Sequence, residues 1–157
     1  MSTRYWLMKS DPEEFSIEDL RKSPNQSACW DGVRNYQARN FMRDAMQIGD
    51  RVLFYHSGKN PAVMGTARVV TPAYPDDTAW DPENRHYDPK SKPDKPVWYM
   101  VDVQLEKEFE HPIPLAQLRK VPELENMMLL KKGARLSVQP VSRVEFERIQ
   151  QLAGENV

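Results

Sequence analysis

Trp30 stands in a polar stretch, Cys29-Trp30-Asp31-Gly32-Val33-Arg34-Asn35, directly ahead of a helix start. A nucleobase lifted from its neighbours needs a flat apolar surface to stack on and hydrogen-bonding groups at its edge. Trp30 or Tyr55 supplies such a face, and Lys9, Ser10, Asp11, Asn35, Arg39 and Ser57 are polar residues suited to the edge or to phosphates. Composition alone favours a packing role for Trp30, in the core or as the staple of the following helix. Tyr55, His56 and Ser57 end a strand near a turn, so each either lines a pocket or points into the core.

Bond-breaking chemistry finds less support. The chain carries no Gly-rich phosphate loop, no G-x-S-x-G elbow and no H-E-x-x-H helix. His56, His86 and His111 share no metal-ligand spacing, and the acidic residues around His86 do not follow an EF-hand pattern, so no metal or cofactor is expected. Cys29 is the only cysteine, which excludes an internal disulfide and a thiolate cage and suits a reducing compartment. With no base evident beside it in sequence, it reads as a small buried filler. An enzyme acting on nucleotides stays open as an alternative, as does a protein-interaction module working through residues 71–96.

The 157 residues suit one domain, 1–157, and the formal net charge of -1 argues against holding nucleic acid by bulk electrostatics. The charge is uneven: residues 72–110 hold 5 Lys and Arg against 10 Asp and Glu, so the basic residues of the two flanks are free to form one positive face. No apolar run approaches the roughly 20 residues that span a bilayer, and no export signal opens the chain. The expectation is a monomer in the cytoplasm, or in the nucleus of a eukaryote, without a membrane partner.

The elements that must position these residues follow from periodicity. Tyr5 to Met8 reads as a strand that stops at Lys9-Ser10-Asp11-Pro12, and Ser16 with Asp19 caps a short helix over Ile17 to Lys22. Asn25 to Gly32 reads as a loop. From Tyr36 to Ile48 the residues Ala38, Phe41, Met42, Ala45 and Ile48 recur at helical spacing, and Gly49-Asp50 closes that helix. Arg51 to His56 alternates, with Val52, Phe54 and His56 on one face and Leu53 and Tyr55 on the other, and a turn at Ser57 to Pro61 leads into a strand over Ala62 to Val70. Thr71 to Pro96, with six prolines and many charges, is an irregular excursion, and Val97 to Leu105 resumes strict alternation. Leu115 to Lys120 and Glu123 to Leu130 are short helical pieces. Arg135 to Val141 is a last strand broken by Pro140, and the capping box of Ser142 and Glu145 opens a terminal helix that Gly154 closes.

The strings Trp6-Leu7-Met8-Lys9-Ser10-Asp11-Pro12, Trp30 to Asn40 and Gly49 to Ser57 strongly resemble the EVE family, as do Tyr74-Pro75-Asp76-Asp77-Thr78 and Arg135 to Ser142. They keep the family's order over nearly the whole chain. Asp11 stands where the family more typically has Glu, which shortens the reach of that carboxylate. The resemblance implies an α+β fold of the PUA-like type, a closed mixed β-barrel of about five to six strands surrounded by short helices. It also implies kinship with readers of modified bases, including N6-methyladenine in RNA, with Trp30 as a cage aromatic beside a loop of Lys9, Ser10 and Asp11. Arg34, Arg39 and Arg43 would then hold phosphates. The implied partner is DNA or RNA carrying a modified base, and the implied role is binding.

Overall fold

The computed structural model describes residues 3–133 and 135–154; the outermost residues of the 1–157 domain assignment lie outside that range. Six strands form one sheet: β1 (Tyr5–Ser10), β2 (Ser27–Cys29), β3 (Arg51–His56), β4 (Ala62–Val69), β7 (Asp102–Pro114) and β8 (Val138–Val141), in the order β2-β7-β4-β3-β1-β8. A small second sheet pairs β5 (Tyr74–Pro75) with β6 (Tyr99–Met100). Four α-helices, α1 (Ile17–Lys22), α2 (Tyr36–Asn40), α3 (Leu115–Leu118) and α4 (Arg143–Leu152), pack around the sheet.

Alternation along the central strands divides the apolar residues between two cores. Trp6, Met8, Val52 and Phe54 point to one face, where they meet Leu20, Trp30, Met42 and Val103. Leu7, Leu53 and Tyr55 point to the other and meet Phe109, Ile113, Phe146 and Ile149. Burying each large apolar side chain contributes about 1.5–3 kcal/mol, so the period-two pattern of β1 and β3 fixes their register. These strands run parallel, Leu7 beside Leu53 and Lys9 beside Tyr55.

The mixed α+β fold expected from the sequence is present, as a six-stranded curled half-barrel with short helices around it; among the described residues β2 and β8 stand at opposite ends without pairing, so the barrel stays open along that seam. β2 offers only three residues, and β8 contains Pro140, which has no N–H to donate and is tolerated opposite Trp6 on an edge strand. The pairing of β4 with β7 shifts register between Val63 and Gly65 and again between Thr66 and Ala67. A β-carbon on Gly65 would stand 2.3 Å from the Lys107 carbonyl oxygen, so only glycine permits this approach.

Three elements depart from the sequence reading. The helix expected from Tyr36 to Ile48 is α-helical only to Asn40, widens into a π-turn over Phe41–Ala45, and stops when the Asp50 carboxylate takes the Gln47 N–H at 3.0 Å. The loop expected over Asn25 to Gly32 contains β2, which pairs with β7. Strand β7 runs on to Pro114 through a polar sequence whose charges face water while Phe109 and Ile113 face the core. The N-cap expected at Ser16 forms, with Asp19 completing a capping box, and the capping box expected at Ser142 and Glu145 forms as well. Among the described residues no helix is long and apolar enough to cross a membrane.

Candidate nucleic-acid interface

A cleft of about 810 Å³ opens where β1 and β2 end, within the range usual for small-ligand sites. Lys9 and Ser10 come from β1, and Ala28 and Cys29 from β2. These strands are separated in the sheet by β7, β4 and β3, so it is the curl that brings their ends to one site. The loop Trp30 to Arg34 forms the floor, Asp11, Glu14 and Phe15 form one rim, and Glu83 to His86 form the other.

Trp30 joins both roles that its sequence context allowed. Its backbone N–H donates to the Val101 carbonyl at 2.8 Å, its ring meets Phe54 edge-on at 5.4 Å, and it is only 7% exposed, yet it lines the cleft. Beside it, Asp31 is half-buried. Burial raises its carboxyl pKa, the nearby Asp76 carboxylate adds to the rise, and His86, Arg34 and its own N–H oppose it.

The far wall is anchored by Asp76, which is fully buried. Its carboxylate accepts from the Gly32 N–H at 2.8 Å, from Arg34 Nη1 at 3.0 Å, and from the Thr78 N–H and hydroxyl. Burial alone would raise its pKa; those hydrogen bonds and the Arg34 charge outweigh it and hold the group below the ordinary carboxylate range. Arg34 also donates to the His86 carbonyl from Nε and Nη2, at 3.1 and 2.7 Å. The excursion of residues 71–96 is thus pinned against the cleft floor, with the His86 ring lying on Gly32, whose φ of +80° few other residues adopt.

Of the residues singled out in the sequence, Lys9, Ser10, Asp11, Trp30 and Arg34 come together at the cleft. The Lys9 ammonium reaches toward the Tyr55 ring, 6.0 Å from its centroid, and burial lowers its pKa. Tyr55 itself faces the second core at 3% exposure, so it supplies no cleft wall. Asn35 caps α2 by accepting the Ala38 N–H at 3.0 Å. His56 accepts the Ile17 N–H on Nε2 at 3.0 Å, and the Ser57 N–H donates to the Ser10 carbonyl. Arg39 donates to the Val97 carbonyl and to Asn40, while Arg43 pairs with Asp44; both lie outside the cleft.

Cys29 corrects the reading of a buried filler, because it is exposed at the cleft edge. The protein mass around it, followed by the Asp31 and Asp102 carboxylates, raises its thiol pKa and so keeps it a poor nucleophile. Among the described residues no group of three or more His, Cys, Asp and Glu has the arrangement of a metal site. Trp6 and Trp98 are packing residues, each tied by its indole N–H to a carboxylate, Asp50 and Asp88 respectively.

Sequence reasoning weighed His86 and the acidic residues near it, Asp76 among them, only as a metal site, missed Asn84 and Arg85, and gave Asp31 no role. Asp31 and Asp76 lie inside the motif strings, which was the available signal. No local pattern marks His86.

The EVE domain profile matches residues 4–152. Human thymocyte nuclear protein 1 is 47% identical over 161 residues, covering 91% of this chain and 71% of that protein. A crystal structure of the human THYN1 protein in complex with 5-methylcytosine containing DNA superposes with a TM-score of 0.90 at 45% identity, covering 99% of this chain and 100% of that one. A hypothetical protein from Leishmania major gives a TM-score of 0.91 at 46% identity, covering 98% and 96%.

Proposed function

From the premise that the chain belongs to the EVE domain family, we propose that it binds DNA or RNA carrying a modified base and holds that base, flipped from its strand, against Trp30 without altering it. The observation that carries this reading is the cleft beside the Trp30 indole, formed where the curled sheet brings the ends of β1 and β2 together. A solved relative crystallised with 5-methylcytosine containing DNA supports the same ligand class. His86, which lines the same cleft, is the second wall in this reading and takes the place first given to Tyr55. Arg34 is occupied by Asp76 and His86, so its part is to position the cleft. Arg39, half-buried, and Arg43, exposed, lie beyond the cleft and remain the residues for phosphate in this reading, which requires each to share its present partner, the Val97 carbonyl and Asp44 respectively.

The non-catalytic character rests on what the cleft groups can do. A neutral Cys29 thiol is slow to attack, and Asp76 spends its lone pairs on Gly32, Arg34 and Thr78. The test is a titration against oligonucleotides that differ in one base modification. One modified strand should bind more tightly than its unmodified counterpart, and Trp30→Leu, which keeps apolar bulk in the core but removes the stacking face, should weaken it about tenfold or more. Equal affinity for every strand, unchanged in the variant, would overturn the proposal.

A further inference from the structure

A carboxylate withdrawn from water needs hydrogen-bond donors, and a half-buried one without them is an exception that calls for an explanation. Asp31 is such an exception. It lines the cleft next to Trp30, and among the described residues no hydrogen bond or ion pair with another residue ties its carboxylate. Its neighbours show that this is a property of the place. Asp76, a few residues away in space, takes donors from Gly32, Arg34 and Thr78. Asp11 takes the Glu13 N–H, Glu14 takes Arg85, and Asp88 takes the Trp98 indole. Both guanidinium groups lining the cleft are engaged elsewhere, Arg34 with Asp76 and the His86 carbonyl and Arg85 with Glu14 at 3.2 Å, while the Lys9 ammonium reaches toward the Tyr55 ring and the His86 imidazole acts on Asp31 through its charge without a hydrogen bond. Burial accordingly lifts the Asp31 carboxyl pKa, the signature of a charge short of solvation.

We infer that Asp31 is the residue that reads the base: its carboxylate accepts a hydrogen bond from an exocyclic amino group, so the cleft takes amino-bearing bases and rejects their oxo counterparts. The inference rests on the proposed seating of a base against Trp30 and names the class of base. 5-Methylcytosine and thymine make the case sharp. They share ring size, outline and the C5 methyl, so stacking and apolar contact cannot tell them apart. They differ at C4, where one carries N–H donors and the other a carbonyl oxygen. A carboxylate meeting the amino group gains a charge-assisted hydrogen bond; meeting the carbonyl it faces a second acceptor and stays unsatisfied. The same contrast separates adenine, with or without one N6 methyl, from hypoxanthine.

The experiment measures affinities for otherwise identical single-site oligonucleotides in two pairs, 5-methylcytosine against thymine and N6-methyladenine against hypoxanthine. Wild type, Asp31→Asn and Trp30→Leu are compared, with thermal melting to confirm that each variant is folded. The wild type should favour the amino member of at least one pair by about fivefold or more, the discrimination of a good base-edge contact. Asp31→Asn, nearly the same shape, can turn its amide N–H toward a carbonyl, so the preference should fall to near one or reverse. Trp30→Leu should weaken both members of a pair alike. If Trp30→Leu weakens binding but Asp31→Asn leaves the ratio unchanged, the base occupies the cleft and Asp31 does not read it. If neither variant changes any affinity, the seating of a base in the cleft fails as well.

Discussion

The His86 imidazole fills the space that a side chain at Gly32 would need: a β-carbon there would stand 2.6 Å from Nε2 and 2.7 Å from Cε1. Two segments of the cleft therefore meet through a missing side chain, and each depends on the other for its position.

Gly32→Ala should disturb the cleft from that point. The left-handed backbone costs a non-glycine residue about 1–2 kcal/mol, and the new methyl group must push the imidazole outward. The expected outcome is a lower melting temperature, a shifted His86 imidazole signal by NMR and weaker binding to a modified oligonucleotide. Unchanged binding alongside a displaced ring would show that His86 is no wall of the site.

Asp76→Ala removes the group on which the excursion converges. Arg34 and the Gly32 N–H lose their acceptor, and loss of one partner from such a buried pair costs about 3 kcal/mol, the lower end because Arg34 is partly solvated. Its native pKa is depressed, so its contribution is present above the ordinary aspartate value near ~3.9 and is lost as pH falls through the lower native value. Urea midpoints measured from pH 6 to pH 3 should fall for the wild type and fall less for the variant. Limited proteolysis should cut the variant first within residues 71–96.

His56 titrates in a milder window. Burial lowers its pKa, against a smaller opposing pull from Glu108, and its Nε2 must stay unprotonated to accept the Ile17 N–H. The native fold thus prefers the neutral ring: stability is whole above the unfolded value of about 6.5 and declines as pH drops below it. His56→Gln keeps an acceptor without the titration. Melting temperatures at pH 7 and pH 5 should therefore differ less for the variant than for the wild type, and an equal difference would exclude His56 as a source of the slope.

Asp50→Ala tests the polar hub beneath the π-turn. The buried Asp50 carboxylate accepts from the Trp6 indole N–H at 3.0 Å and from the backbone N–H groups of Arg4 and Gln47. Removing it strands three donors, each worth about 1–3 kcal/mol when buried without a partner. Denaturant unfolding should show a loss of several such increments, less whatever water restores to Arg4 and Gln47.

What the sequence made legible was local. The alternation of Val52 to His56 placed Leu53 and Tyr55 on one face, and the two cores follow that division. The same alternation carried the reason Tyr55 cannot line the cleft, since its neighbours on that face, Leu7 and Leu53, are core residues. Trp30 stood out through its position before a helix. His86 could not, because its partner Gly32 lies 54 positions away and the contact depends on how two loops fold over one another. The π-turn is a compromise between helix and the Asp50 carboxylate, and periodicity holds no trace of it. Strand β7 stayed hidden beyond Leu105 because its outward residues are charged and its register with β4 slips twice.

Strand β1 lies between β3 and β8, with Tyr5 opposite Val141 and the Lys9 N–H on the Ser137 carbonyl. Strand β1 therefore leaves a ribosome well before β8, the partner on one of its edges. At ordinary elongation rates that interval is on the order of ten seconds, during which Trp6, Leu7 and Met8 lack one of their two partners. Slow, non-local assembly of this kind favours chaperone engagement early in synthesis. The cleft, which Lys9 and Ser137 line together, is consequently a feature that nascent, unfinished polypeptides do not share.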